Sequence, residues 1–169
     1  MKTGLYVTAF VLFAILCIFL TQRSDEPSFV AVDVDNNLTV EESISRAGFD
    51  EVDAKINSAN FFEPDTGKIT LFMKPVGIPD TLTTEEVVAL LEHRGMRPAK
   101  LPELVAYWER FTGRWTLKED LVALGSCAIS QEDCSRFYPR IVVASGRSGL
   151  IPAARDVWDE DYLFLAVSK

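Results

Sequence analysis

From Gly4 to Leu20 the chain reads GLYVTAFVLFAILCIFL with no charged position, and after it apolar residues come in short groups broken by polar ones. At 1.5 Å per residue, about 17 residues give a helix of roughly 25 Å, enough for a thin hydrocarbon core. The run has no polar face, which argues against a helix packed in a globular core. Further along the periodicity changes. Phe29 to Val34 (FVAVDV) alternates and is β-branched, which predicts a strand. Glu41 to Ala47 predicts a short helix stopped by Gly48. Asp65-Thr66-Gly67 reads as a turn into Lys68–Val76 (KITLFMKPV), the clearest strand of the first half. Pro75 belongs at its end or on a sheet edge, where a missing donor is tolerated.

Two helices are the best-specified part of the chain. Thr83 and Glu86 form a capping box, Leu82 and Val87 stand at staple positions, and Gly95 is the stop. The second helix opens near Leu101 with Pro102 in its first turn, carries Leu104, Val105 and Trp108 at helical spacing, and ends at Gly113. The tail predicts strands at Leu121–Leu124, Ile141–Ala144 and Leu163–Val167, with Ser145 to Gly149 as a turn. These elements predict an α+β class: an N-terminal transmembrane helix, then one compact domain with a central helix pair and mixed or antiparallel strands. The divisions are an anchor over 1–22, a polar linker over 23–28 and a single acidic domain over 29–169.

The flanks of the apolar run resemble a secretory signal: Lys2 and the terminal amine before it, Arg23, Asp25 and Glu26 after it. The residues after Leu20 offer no small-x-small cleavage site, and Leu16 before Cys17 does not suit lipid attachment. An uncleaved signal anchor is therefore expected, with the domain outside the cytoplasm, or secreted if the signal is cleaved. The formal net charge is −8. Such an acidic domain suits neither nucleic acid nor anionic headgroups, so the expected membrane attachment is the N-terminal segment alone. The acidity is uneven: residues 25–65 hold eleven acids against Arg46 and Lys55, while residues 94–118 hold six bases against Glu103 and Glu109. The two segments are expected to face one another across the fold.

Candidate chemistry is sparse. The phosphate-loop, dinucleotide and nucleophile-elbow signatures are missing from the sequence. The chain's one histidine, His93, sits in a helix C-terminal turn, where the helix dipole alone favours it. A zinc site needs about four ligands, so no zinc and no other cofactor is expected. Asp33-Val-Asp35-Asn36-Asn37 begins like a calcium loop, but Leu38 and Ile44 stand where the EF-hand needs Gly and Glu. Asp156, Asp159, Glu160 and Asp161 around Trp158 form an acidic cluster, read as a solvated turn, a calcium site or a carboxylate pair for glycoside hydrolysis. Arg97, Lys100, Arg110 and Arg114 interleave with aromatic residues up to Trp115, a pattern that suits a sugar or a protein partner. Cys127 and Cys134, spaced C-x6-C, are either a disulfide or two free thiols.

Several strings resemble an uncharacterised family abundant in small-genome candidate-phylum bacteria. They are Gly95-Met-Arg97-Pro98-Ala99-Lys-Leu101-Pro-Glu103-Leu104, Val122-Ala-Leu-Gly125-Ser126, Trp158-Asp and Phe164-Leu-Ala-Val167. Ala47-Gly48-Phe49-Asp50 and Ile56 to Phe61 are similar to that family's first half. The resemblance implies no activity and no catalytic residue. This chain departs from the family in Lys100, where Thr caps the second helix, and in Leu163-Phe164 for Arg-Phe. A looser likeness links Arg97–Leu104 to C-type-lectin-like domains and implies a binding scaffold. The sequence thus points to a membrane-anchored, non-enzymatic binding or structural domain of a bacterial cell envelope. Its expected partners are the membrane and an envelope glycan, peptide or protein. The alternative is an extracytoplasmic hydrolase working through its carboxylates.

Overall fold

A computed structural model describes residues 28–112, 118–131 and 133–169. Residues 1–27, which contain the expected anchor and nearly all of the linker, lie outside it. The described chain runs β1 (Val30–Asp35), α1 (Val40–Ala47), β2 (Glu51–Val52), β3 (Lys68–Gly77), β4 (Leu82–Thr83) and α2 (Thr84–His93). It continues through β5 (Met96–Pro98), α3 (Leu101–Phe111), β6 (Asp120–Val122), β7 (Ala128–Ile129), β8 (Arg136–Ala144), β9 (Arg147–Ala153), β10 (Val157–Trp158) and β11 (Tyr162–Ser168).

Nine of the strands form one sheet in the order β1-β3-β11-β6-β8-β9-β2, with β5 added on β11 and β7 on β8; β10 and β4 pair separately. Most neighbours are antiparallel, but β6 runs parallel to β11 and β2 parallel to β9. Strand alternation sorts the core into two layers. On one face Val32, Met73, Leu121, Ile141, Leu150 and Leu165 pack under α1 and α3. On the other, Val76, Val122, Tyr138, Phe164 and Ala166 pack under α2 and Trp158.

This overturns the expected architecture. The protein is a mixed, sheet-rich domain with three helices among the described residues, and α2 and α3 do not form a central pair. They sit on opposite faces of the sheet, and α3 packs instead on α1. The physical reason is the short β5 between them. It pairs with β11 and carries the chain across the sheet edge, so each helix buries its apolar stripe against a different layer. Among the described residues no helix is long and apolar enough to cross a membrane.

Local signals explain the ends of the elements. Thr83 accepts from the Glu86 N–H (3.3 Å) while the Glu86 carboxylate accepts from the Thr83 N–H (2.8 Å), the expected capping box. Thr39 and Glu42 build a second one at α1. Gly48 and Gly95 adopt φ of 69° and 73°, where a side chain is strained. Pro75 lies inside β3, opposite Leu165 of β11, but β1 ends opposite Met73. Its missing donor therefore faces no strand among the described residues.

Candidate binding edge of the sheet

The start of α3 is a polar cluster built from the strings that carry the family resemblance. Glu103 is buried and holds Arg97 through two bonds (2.6 and 2.9 Å), and the same carboxylate accepts from the Lys100 N–H (2.7 Å). The Lys100 side chain supplies no cap to the helix, and Ser126 does: its hydroxyl accepts from the Leu101 N–H (2.8 Å) and donates to Glu63. The Gly125 N–H donates to the Ala99 carbonyl (2.8 Å), and the Ala99 N–H donates to the Leu165 carbonyl (2.9 Å). Lys100 also reaches Asp65 at 2.6 Å and Glu63 at 3.2 Å. These pairs join the acidic first segment to the basic one.

Arg97 and Lys100, expected on a cationic binding surface, are thus occupied inside the fold. The Glu103 hydrogen bond raises the Arg97 pKa, and Asp65 raises that of Lys100. Arg110 is exposed at the end of α3. Arg114 and Trp115 lie outside the described residues.

Cys127 and Cys134 are free and exposed. The β7–β8 register places Ala128 opposite Phe137, which sets Cys127 across from Tyr138. Cys134 lies outside β8, in the turn that precedes it, with a φ of 58°. The candidate bridge is not formed. The acidic cluster has local structural roles: the Asp156 carbonyl accepts from the Thr84 N–H (2.9 Å), and Asp159 accepts from the Asp161 N–H (3.2 Å). Asp159 also lies 3.8 Å from Arg155, while Glu160 is exposed. Among the described residues, no group of three or more His, Cys, Asp or Glu is placed to hold a metal ion.

The open feature is β1. Among the described residues it is the terminal strand of the sheet, paired on one side only, with β3. The Asn36 N–H donates to the Gly67 carbonyl (2.8 Å), so the even-numbered positions of β1 direct their backbone groups at β3. Ala31 and Asp33 therefore turn their N–H and C=O groups away from the sheet. Along this edge runs an open groove of about 680 Å³ between β1 and the α1–α3 layer, lined by Ala31, Val32, Asp33, Arg46, Ala106, Glu109 and Arg110. A second hollow of about 320 Å³ shares Asp33 and Arg46 and continues toward Lys68 and Ile69. Arg46, also exposed, is paired with Glu109 (2.9 Å), and Arg110 is a second exposed cation over the groove. On the far side Asp33 accepts from the Thr70 hydroxyl (2.6 Å) and Asp35 pairs with Lys68 (3.0 Å). Sequence reading found the strand but not its edge position, because pairing order is set by contacts distant in the chain.

Several carboxylates that close long loops are held below their ordinary pKa. Lys68 lowers Asp35, the Ser148 N–H and hydroxyl lower Asp50, and Lys100 lowers Asp65. A carboxylate with a lowered folded-state pKa stabilises the fold above its unfolded value, and that stability is lost as pH falls through the folded value. The thermal midpoint is therefore expected to fall as the solution is acidified through and below the ordinary Asp value of 3.8. A midpoint unchanged down to about pH 2.5 would contradict these pairings. Comparison with protein-family models, curated proteins and solved structures finds no match for this chain.

Proposed function

We propose that this protein is a membrane-attached, extracytoplasmic binding domain that takes an extended peptide segment as an added strand on β1. Attachment is by the uncharged run Gly4–Leu20, which leads into β1 through a short polar stretch. The observation that carries the binding reading is the open edge itself. Outward backbone groups at Ala31 and Asp33 lie beside a groove long enough to receive a second backbone. Strand addition supplies affinity through main-chain bonds and specificity through alternate side chains. One set would face Arg46, Glu109 and Arg110, the other Asp33. A second copy of β1 is the poorer occupant, because antiparallel self-pairing brings Asp33 and Asp35 of both chains onto one face. The hydrolase alternative finds no support in the cluster around Trp158, whose acids serve the local turn.

The test is Asp33→Pro. Its lost N–H points away from β3, so the sheet is retained, whereas an incoming strand loses a bond and meets the ring. The full chain in detergent is assayed against a synthetic library of extended nine-residue peptides. The expected outcome is capture by the parent chain and loss of at least about tenfold in affinity with Asp33→Pro, roughly 1.4 kcal/mol. Circular dichroism is expected to be unchanged. Equal capture by the variant, or no capture by the parent, rejects the strand-addition reading.

A further inference from the structure

We infer that the face of the β1–β3 ribbon left uncovered among the described residues is a lipid-contacting surface that lays the domain against the bilayer. This rests on the membrane attachment proposed above and goes beyond it in fixing orientation. The face opposite α1 and α3 is roofed by α2 and Trp158 over the centre of the sheet, but that roof does not reach β1. There Ala31 stands opposite Phe72, and Phe72 is 57% exposed; Phe29, two residues before Ala31, is 40% exposed. The Lys74 ammonium lies 5.2 Å from the Phe29 ring centroid. Two aromatic rings with a lysine beside them is the composition favoured at the membrane–water interface.

The occupant follows from where the described chain begins. Phe29 is the ninth residue after Leu20, the last position of the uncharged run. Nine Cα–Cα steps reach about 30 Å when fully extended, and less in any bent path. Wherever that run inserts, the start of β1 is the part of the described domain tethered closest to it. The acids on the ribbon do not oppose contact with neutral headgroups, because Asp35 is paired with Lys68 and Asp33 is bonded to Thr70. The bilayer partner is accordingly zwitterionic lipid, with attachment by the apolar run and orientation by Phe29 and Phe72.

The experiment uses the full chain reconstituted in phosphatidylcholine vesicles. Cys17, Cys127 and Cys134 are changed to serine, and a single nitroxide is placed through Phe72→Cys or, in a second protein, Ala31→Cys. Val52→Cys at the opposite edge of the sheet serves as reference; Val52 is also exposed. Labels at 72 and 31 are expected to be relaxed several-fold more by oxygen than by a water-soluble nickel chelate, and the label at 52 the reverse. If the chain floats with the vesicles but positions 72 and 31 match position 52, the lipid face is overturned while attachment survives. If the chain does not float, attachment and lipid face fall together.

Discussion

Trp158→Ala is expected to lower stability by about 3–5 kcal/mol, the largest effect of any single truncation proposed for this chain. Trp158 is fully buried and is the hub of an aromatic cluster. Tyr162, Phe164 and Tyr138 meet it edge-on at centroid distances of 5.2, 5.5 and 6.0 Å. Its indole N–H donates to the Thr84 hydroxyl (2.9 Å), the first residue of α2. Truncation thus leaves a cavity and removes the indole donor to the Thr84 hydroxyl, which keeps only the Asp156 carbonyl at 3.5 Å. It also weakens the β10–β4 pairing, in which Trp158 stands opposite Leu82. Urea denaturation gives the loss directly, and amide exchange locates it. The amides of α2 are expected to exchange faster than those of α3, which lies under the opposite face. A cost below about 1.5 kcal/mol would mean that the aromatic layer closes around the gap.

Trp158 also shows where sequence reading worked and where it failed. Its flanking acids suggest chemistry, yet the Asp159 carboxylate caps the turn and the Asp156 backbone carbonyl binds the start of α2. Local signals were readable because their physics is local. Thr83 with Glu86, Pro102 at the start of α3, and Gly48 and Gly95 as helix stops all act within a few residues. The capping box of Thr39 and Glu42 was equally readable and went unread.

What stayed hidden depends on distant pairing. The apolar stripes of α2 and α3 are alike, and only the three-residue β5 between them decides that they cover different faces. The sequence predicts only the second half of β8 and nothing of β9, because Pro139 and Pro152 interrupt their pattern and Ser145–Gly149 looks like a loop. In the fold the two prolines stand opposite each other, and the Pro139 carbonyl accepts from the Ala123 N–H (3.0 Å). Its polar side therefore faces β6, and the β8–β9 pair needs no donor from either ring. The candidate site failed for a related reason. The charge pattern predicts that the acidic and basic segments meet, but which acids reach Lys100 (Glu63 and Asp65) depends on long-range packing that the local sequence does not carry.

Gly125→Ala is expected to cost about 3 kcal/mol, at the upper end for added volume in a packed interior, because the obstacle is backbone. A Cβ at Gly125 would stand 2.7 Å from the Ala99 carbonyl oxygen and 2.9 Å from both the Ala99 carbonyl carbon and the Pro98 oxygen. Ala99 cannot retreat easily. It is fully buried, its N–H is bonded to Leu165, and its carbonyl accepts from Gly125 itself. Any displacement separates β5 from β11 or pulls Ser126 from the Leu101 N–H, and Ser126 supplies the cap that Lys100 lacks. Gly77→Ala is the matched control, since its Cβ would meet only the Leu163 Cδ2 at 3.6 Å, an ordinary contact. That variant is expected to be neutral or more stable by up to about 1 kcal/mol through a less flexible unfolded chain. Denaturation midpoints of the two variants measured side by side decide the matter. If Gly125→Ala falls within about 0.5 kcal/mol of Gly77→Ala, the close approach of Gly125 to Ala99 does not constrain the fold.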